Sequence, residues 1–98
     1  MKIRILPSAL DDLSEGFDFY EQQQSGLGAY FLDSLLADID SLTIHAGVHR
    51  KVHGSHRLLS RTFPFAVYYT MEETTADVKA VLDCRRDPQW ALRQLKRR

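Results

Sequence analysis

Apolar positions in this chain change period twice. "KIRIL" (residues 2–6) alternates, with Ile3 and Ile5 on one side and Lys2 and Arg4 on the other, and predicts a short first strand. Pro7 and Ser8 then open a helix, with Ser8 as its expected cap and Asp11, Asp12 and Glu15 near its positive end. Leu10, Leu13, Phe17 and Tyr20 recur at spacings of three and four and predict its buried stripe. "SGLG" (25–28) breaks the pattern, and Leu27, Phe31, Leu35, Ile39 and Leu42, thickened by Leu32 and Leu36, predict a second helix fading at His45–Gly47. Two amphipathic helices joined by so short a loop pack as an antiparallel hairpin.

Beyond residue 55 the period falls to two. "HRLLSR" (56–61) is a weak strand, and "PFAVYYTM" (64–71) a stronger one that sends Phe65, Val67, Tyr69 and Met71 to one face. "EETT" (72–75) is a polar turn. "DVKAVLDC" (77–84) alternates Val78, Ala80, Leu82 and Cys84 against Lys79, Val81 and Asp83. Asp87-Pro88 stops that strand and starts a last helix, with Asp87 as cap. The expected order is β-α-α-β-β-β-α: one α+β domain over residues 1–98, an antiparallel sheet covered by a helical hairpin. The expected core holds Leu13, Phe17, Phe31, Leu35, Ile39, Val67, Tyr69, Val81 and Leu82.

Composition adds one fact to this outline. The 98 residues carry no net charge, but residues 1–49 hold two Lys/Arg against eight Asp/Glu, and residues 50–98 hold eleven against five. A split of this kind points to a polyanion-facing surface in the second half, or to acidic helices neutralising basic strands. The single cysteine, Cys84, excludes an internal disulfide, reads as a core residue and fits a reducing cytoplasm. No apolar run is long enough to cross a bilayer, and the N-terminus lacks the pattern of a signal peptide.

Residues 41–71 contain no Asp or Glu, but they hold Arg50, Lys51, Arg57, Arg61 and all four histidines. Arg57 and Arg61 are four apart in a strand pattern and share a face there, and the end of the last strand adds Arg85 and Arg86. Such a cationic sheet edge suits phosphate or carboxylate partners through arginine's planar donor fork. Alternation assigns Arg86 to the helix-covered side, as a structural ion pair, and Arg85 to the open side, beside Arg57 and Arg61. The histidine spacing in "HAGVHRKVHGSH" (45–56) lacks nearby carboxylate or thiolate ligands, and no metal or cofactor is expected. His53 and His56 are candidates for phosphate contact or proton transfer. Trp90 is read as an anchor of the last helix and a candidate partner contact. No nucleophile motif, phosphate loop or dinucleotide fingerprint is present.

The order of these segments resembles the RelE/ParE superfamily of type II toxins. The resemblance runs from residue 3 to about 93: a first strand followed by Pro7, Ala9, Asp12 and Leu13; "FYEQQ" (19–23); a second helix with Phe31, Ile39 and Leu42; "GSHRLL" (54–59); "FPFAVYY" (63–69); and "VKAVLDCRRDPQW" (78–90), whose hydrophobic strand ending in "RRDP" is its most specific part. It implies a cytoplasmic toxin neutralised by a cognate antitoxin, expected to bring an acidic-and-apolar segment to the basic edge. RelE-like members cleave mRNA on the ribosome, and ParE-like members poison DNA gyrase. For a ribonuclease, Arg57, Arg61 and Arg85 match the basic positions, with His53 or His56 as substitute base. This chain has no tyrosine after its last strand, however, and Tyr68 and Tyr69 read as core residues. That departure favours a ParE-like gyrase inhibitor over a RelE-like mRNA endonuclease. From another class, a non-toxic antitoxin-binding interaction module remains an alternative.

Overall fold

The computed structural model of the protein describes residues 1–98. Its elements are β1 (Lys2–Ile5), α1 (Pro7–Gln23), α2 (Leu27–Asp40), the single turn α3 (Leu42–His45), β2 (Lys51–Val52), β3 (Ser55–Leu59), β4 (Phe65–Glu72), β5 (Thr75–Asp83) and α4 (Pro88–Lys96). The expected order is present, with α3 and β2 as short additions. The five strands form one sheet in the order β1-β5-β4-β3-β2. Strands β2 to β5 are antiparallel, but β1 runs parallel to β5, so the sheet is mixed.

The α1–α2 hairpin covers one face. Its core joins Leu13, Tyr20, Phe31, Leu35, Ile39 and Leu42 to Phe65, Val67, Tyr69, Val78 and Val81. Two details of α1 differ from the pattern reading. Leu10 is exposed, and the buried stripe is Ala9, Leu13, Gly16 and Tyr20, with Phe17 only half-buried. Gly16 is on that stripe because a Cβ there would lie 2.4 Å from the tip of the Phe31 ring. Ser8 is inside the helix rather than capping it, and its hydroxyl donates to the Lys79 carbonyl (2.9 Å). In the "SGLG" turn Gly26 takes φ +88°, and the Glu21 carboxylate accepts from the N–H groups of Gly26 and Gly28.

The opposite face carries a smaller cluster: Ala66, Tyr68, Ala80, Leu82 and Leu95, with Val52, Trp90 and Ala91 packed against it. Leu82 therefore belongs to the α4 side and not to the hairpin core. The cause is a bulge. Tyr68 pairs with Ala80 and Tyr69 with Val78, so Lys79 has no partner in β4. One extra residue moves every later side chain of β5 to the other face. Val78 and Val81 both face the hairpin, whereas Ala80 and Leu82 face α4.

Tyr69 is fully buried, and its hydroxyl is held at both ends. It accepts from the Gly47 N–H (2.9 Å) and meets His49 Nδ1 at 2.5 Å, while His56 stacks on its ring. Neutral His49 accepts a hydrogen bond from the phenol O–H there; a protonated Nδ1 would leave that buried O–H without an acceptor.

Two outcomes follow from this packing. Gly16→Ala forces a methyl into the Phe31 ring and is expected to cost roughly 1–3 kcal/mol in urea unfolding; an unchanged midpoint would mean that α1 and α2 are less closely apposed. Burial, then the nearby His56 and His45, lower the His49 pKa below 6.5. Above pH 6.5 both states are neutral and stability is full; as pH falls the unfolded chain binds a proton that the folded chain resists, and stability declines until the lowered folded pKa is passed. The loss between pH 7.5 and 5.5 should be smaller in His49→Asn, whose amide oxygen replaces Nδ1 and does not titrate.

Candidate functional site

Strand register fixes where each candidate side chain goes. Arg57, on β3, pairs with Tyr68 and shares its face, the one carrying Ala66, Ala80 and Leu82. Arg57 is half-buried, and its guanidinium has no ion-pair or hydrogen-bond partner. Tyr68 is only 4% exposed, yet its hydroxyl is not a closed-off group, because no buried side-chain polar atom is left without a partner. Arg57 thus stands uncompensated beside the Tyr68 ring, close enough to Cys84 for its charge to act there.

Arg61 does not join it. β3 ends at Leu59, and the chain turns before Phe65, so strand alternation does not reach residue 61. Arg61 instead lines a groove against α2 with Asp33, Asp38 and Leu58. The turn is pinned there by Ser60, whose hydroxyl donates to buried Asp38 (2.7 Å).

Arg85 and Arg86 exchange the places expected of them. β5 ends at Asp83, and Cys84 to Arg86 form a turn. Arg85 folds back onto Asp83, with Nη2 at 2.7 Å and Nε at 3.0 Å, and reaches the Tyr20 hydroxyl of α1. The hydrogen bonds from Arg85 hold the Asp83 carboxyl below its usual range, and Asp83 in turn raises the Arg85 pKa. Arg86 lies over the Trp90 ring, 4.2 Å from guanidinium carbon to centroid, with its charge unpaired. Arg85 is therefore the ion-paired arginine and Arg86 the free one. The Lys79 bulge and the turn that begins at Cys84 invert the faces that strand alternation assigns to them.

Cys84 is exposed rather than buried, also because it lies past the strand. Partial desolvation pushes its thiol pKa up, and the nearby charge of Arg57 acts against that shift. Trp90 is half-buried against the α4-side cluster, as an anchor should be, and its ring supports Arg86.

The histidines are apart from these groups. His53 sits in the β2–β3 turn with φ +55°, beside Gly54 at φ +84°. That turn is at the other end of the sheet from Arg85, since β3 and β5 both run away from it. His56 faces the hairpin, with Nδ1 against the His49 carbonyl at 2.6 Å. The sheet thus separates His56 from Arg57, its own neighbour in sequence.

A second constellation was not foreseen. β1 leaves the edge of β5 after Val78, and side chains take over the exposed edge. The Val81 N–H donates to Asp12 Oδ2 (2.9 Å), and Lys79 O accepts from Ser8 and from Arg98. Arg98 also grips the Asp12 carboxylate with both terminal nitrogens, one contact being 2.8 Å. α4 is thereby clasped to α1 across a trough of about 550 Å³. One signal was available in the sequence: Asp12 falls between Ala9, Leu13 and Gly16, on the stripe that packs inward.

No protein-family model and no curated protein matches the chain. Among solved structures, a chain from "Chromosomal ParDE TA system from P. aeruginosa" superposes with a TM-score of 0.71 at 16% identity, covering 83% of this chain and 92% of that one. The fold is ParE-like, as the sequence resemblance implied. No helix is long and apolar enough to cross a membrane.

Asp12 is buried and serves three donors, so Asp12→Asn should destabilise by about 1–3 kcal/mol. Combined with Arg98→Ala it should show a coupling of about 0.5–3 kcal/mol in a double-mutant cycle. Strict additivity would mean that the clasp does not hold in solution.

Proposed function

We propose that this chain is the toxin of a type II toxin–antitoxin module, neutralised by a cognate antitoxin, and that it is a ParE-like inhibitor of DNA gyrase. The ParE-like fold supports the class of protein. One observation carries the choice of target: the groups that an mRNA endonuclease would need together are dispersed. A ribonuclease requires a base on the 2′-hydroxyl, cations at the phosphate and an acid at the leaving oxygen, all within hydrogen-bond reach of one bond. Here His56 is behind the sheet, His53 is at its far end, Arg61 lies against α2, and Arg85 is occupied by Asp83. An inhibitor that acts by binding needs no such convergence. Arg57, with the Arg86–Trp90 stack, supplies free cations and an aromatic surface for a protein target.

A RelE-like reading keeps one point in its favour: Arg57 and Tyr68 place a free guanidinium and a phenol on the same face. Expressing the chain without its neighbouring gene separates these readings. Growth arrest with chromosomal DNA damage preceding any loss of mRNA is the expected result. Early mRNA cleavage would establish the ribonuclease, and no arrest at all would leave the antitoxin-binding module. Arg57→Ala should abolish arrest while changing stability by no more than about 1 kcal/mol, since it removes stem packing against Tyr68 but no ion pair or hydrogen bond. Arrest that survives this change would remove Arg57 from the working surface.

A further inference from the structure

The trough between α1 and α4 has an unusual floor. In the β4–β5 ladder the Cys84 N–H donates to the Pro64 carbonyl, so Cys84, Leu82 and Ala80 direct their backbone groups towards β4. Val81 and Asp83 direct theirs outward, past the point where β1 has ended. Asp12 takes the Val81 N–H, but the Val81 carbonyl and the Asp83 N–H, which the ladder phase turns away from β4, meet no side-chain or loop partner. These two groups are what a strand continuing the line of β1 would meet. A single guest residue in parallel register donates its N–H to Val81 O and accepts from the Asp83 N–H.

The walls choose the guest's charge. Four carboxylates (Asp11, Asp12, Glu15 and Asp83) line the trough against two guanidiniums, Arg86 and Arg98. Arg98 is spent on Asp12, and Asp83 on Arg85. What remains for a guest is Asp11 and Glu15, on one side of α1 and without an ion-pair partner, although their charges also act on Arg98, with the stacked cation of Arg86 elsewhere in the lining. Phe19, 50% exposed, and Trp90 add apolar surface at the rim.

We infer that this trough receives an extended, Lys- or Arg-bearing segment of a partner protein, which adds to the exposed end of β5 as a strand. The segment is opposite in sign to the acidic one that the basic sheet edge calls for, so the two surfaces select different stretches of a partner. The inference rests on the toxin reading only for the existence of a protein partner, and its test does not depend on that reading.

The probe is an acetylated, amidated pentapeptide of alternating valine and lysine, compared with the same peptide carrying glutamate for lysine. Each is titrated into the full chain while the backbone amides are followed by NMR. The lysine peptide should shift the Asp83 amide, slow its hydrogen exchange, and bind at least about tenfold more tightly than the glutamate peptide at low salt. The double variant Asp11→Lys, Glu15→Lys, at exposed helix positions, should invert that preference. Equal affinities, shifts confined to β1 or β2, or a preference that the double variant leaves unchanged would each overturn the proposal. Failure of growth arrest, by contrast, would remove the toxin reading and leave the trough's charge selectivity as measured.

Discussion

The bulge at Lys79 is the constraint on which the rest of this structure turns. A strand of strict period two cannot place Val78 and Val81 on the same side, yet both are needed under the α1–α2 hairpin. One unpaired residue solves this and at the same time delivers Ala80 and Leu82 to a second, smaller core beneath α4. The sheet therefore has two dressed faces, and α4 has an apolar floor to rest on. The same phase change, followed by the turn at Cys84, sends Arg85 back towards Tyr20 and leaves Arg86 on Trp90.

The bulge also lies where β1 lets go of β5. An edge strand with open backbone groups is a template for unwanted pairing. Here the edge is blunted by side chains rather than by another strand: Ser8 and Arg98 on the Lys79 carbonyl, Asp12 on the Val81 N–H. Arg98 joins this arrangement from just past the far end of α4, so one carboxylate ties together a helix, a strand edge and the segment that follows α4. Breaking such a buried pair by removing one partner costs more than the pair itself contributes, because the survivor stays desolvated. Only Val81 O and Asp83 N–H escape, and they lie at the base of the trough.

Charge is divided between the hairpin and the rest of the chain. The helical hairpin contains no Lys or Arg, and apart from buried Asp12 and Asp38 its acidic residues are exposed or half-buried, while the eleven basic residues of the second half are spread over β2, β3, β5, α4 and the segments flanking them. The hairpin therefore carries a net negative charge and the rest of the chain a net positive one. Oriented encounter with a charged partner is the expected consequence, with rates that fall as salt rises.

The sequence by itself determined the helices, the turn between them, the principal strands and most of the core, because periods of 3.6 and two are written locally and the hairpin turn needs its glycines. The order of its segments also carried the resemblance from which a ParE-like fold was expected. Only the tertiary structure decided which face each late residue of β5 occupies, since a bulge is set by packing on both sides of a sheet and not by the strand's own pattern. For the same reason Cys84 and Arg61 had to be located in space: each lies one or two residues past a strand end, where alternation no longer applies. The parallel pairing of β1 joins residues more than 70 apart, and the Asp12–Arg98 clasp joins residues 86 apart. Contacts at such separation leave no local trace beyond a carboxylate on the wrong stripe of a helix.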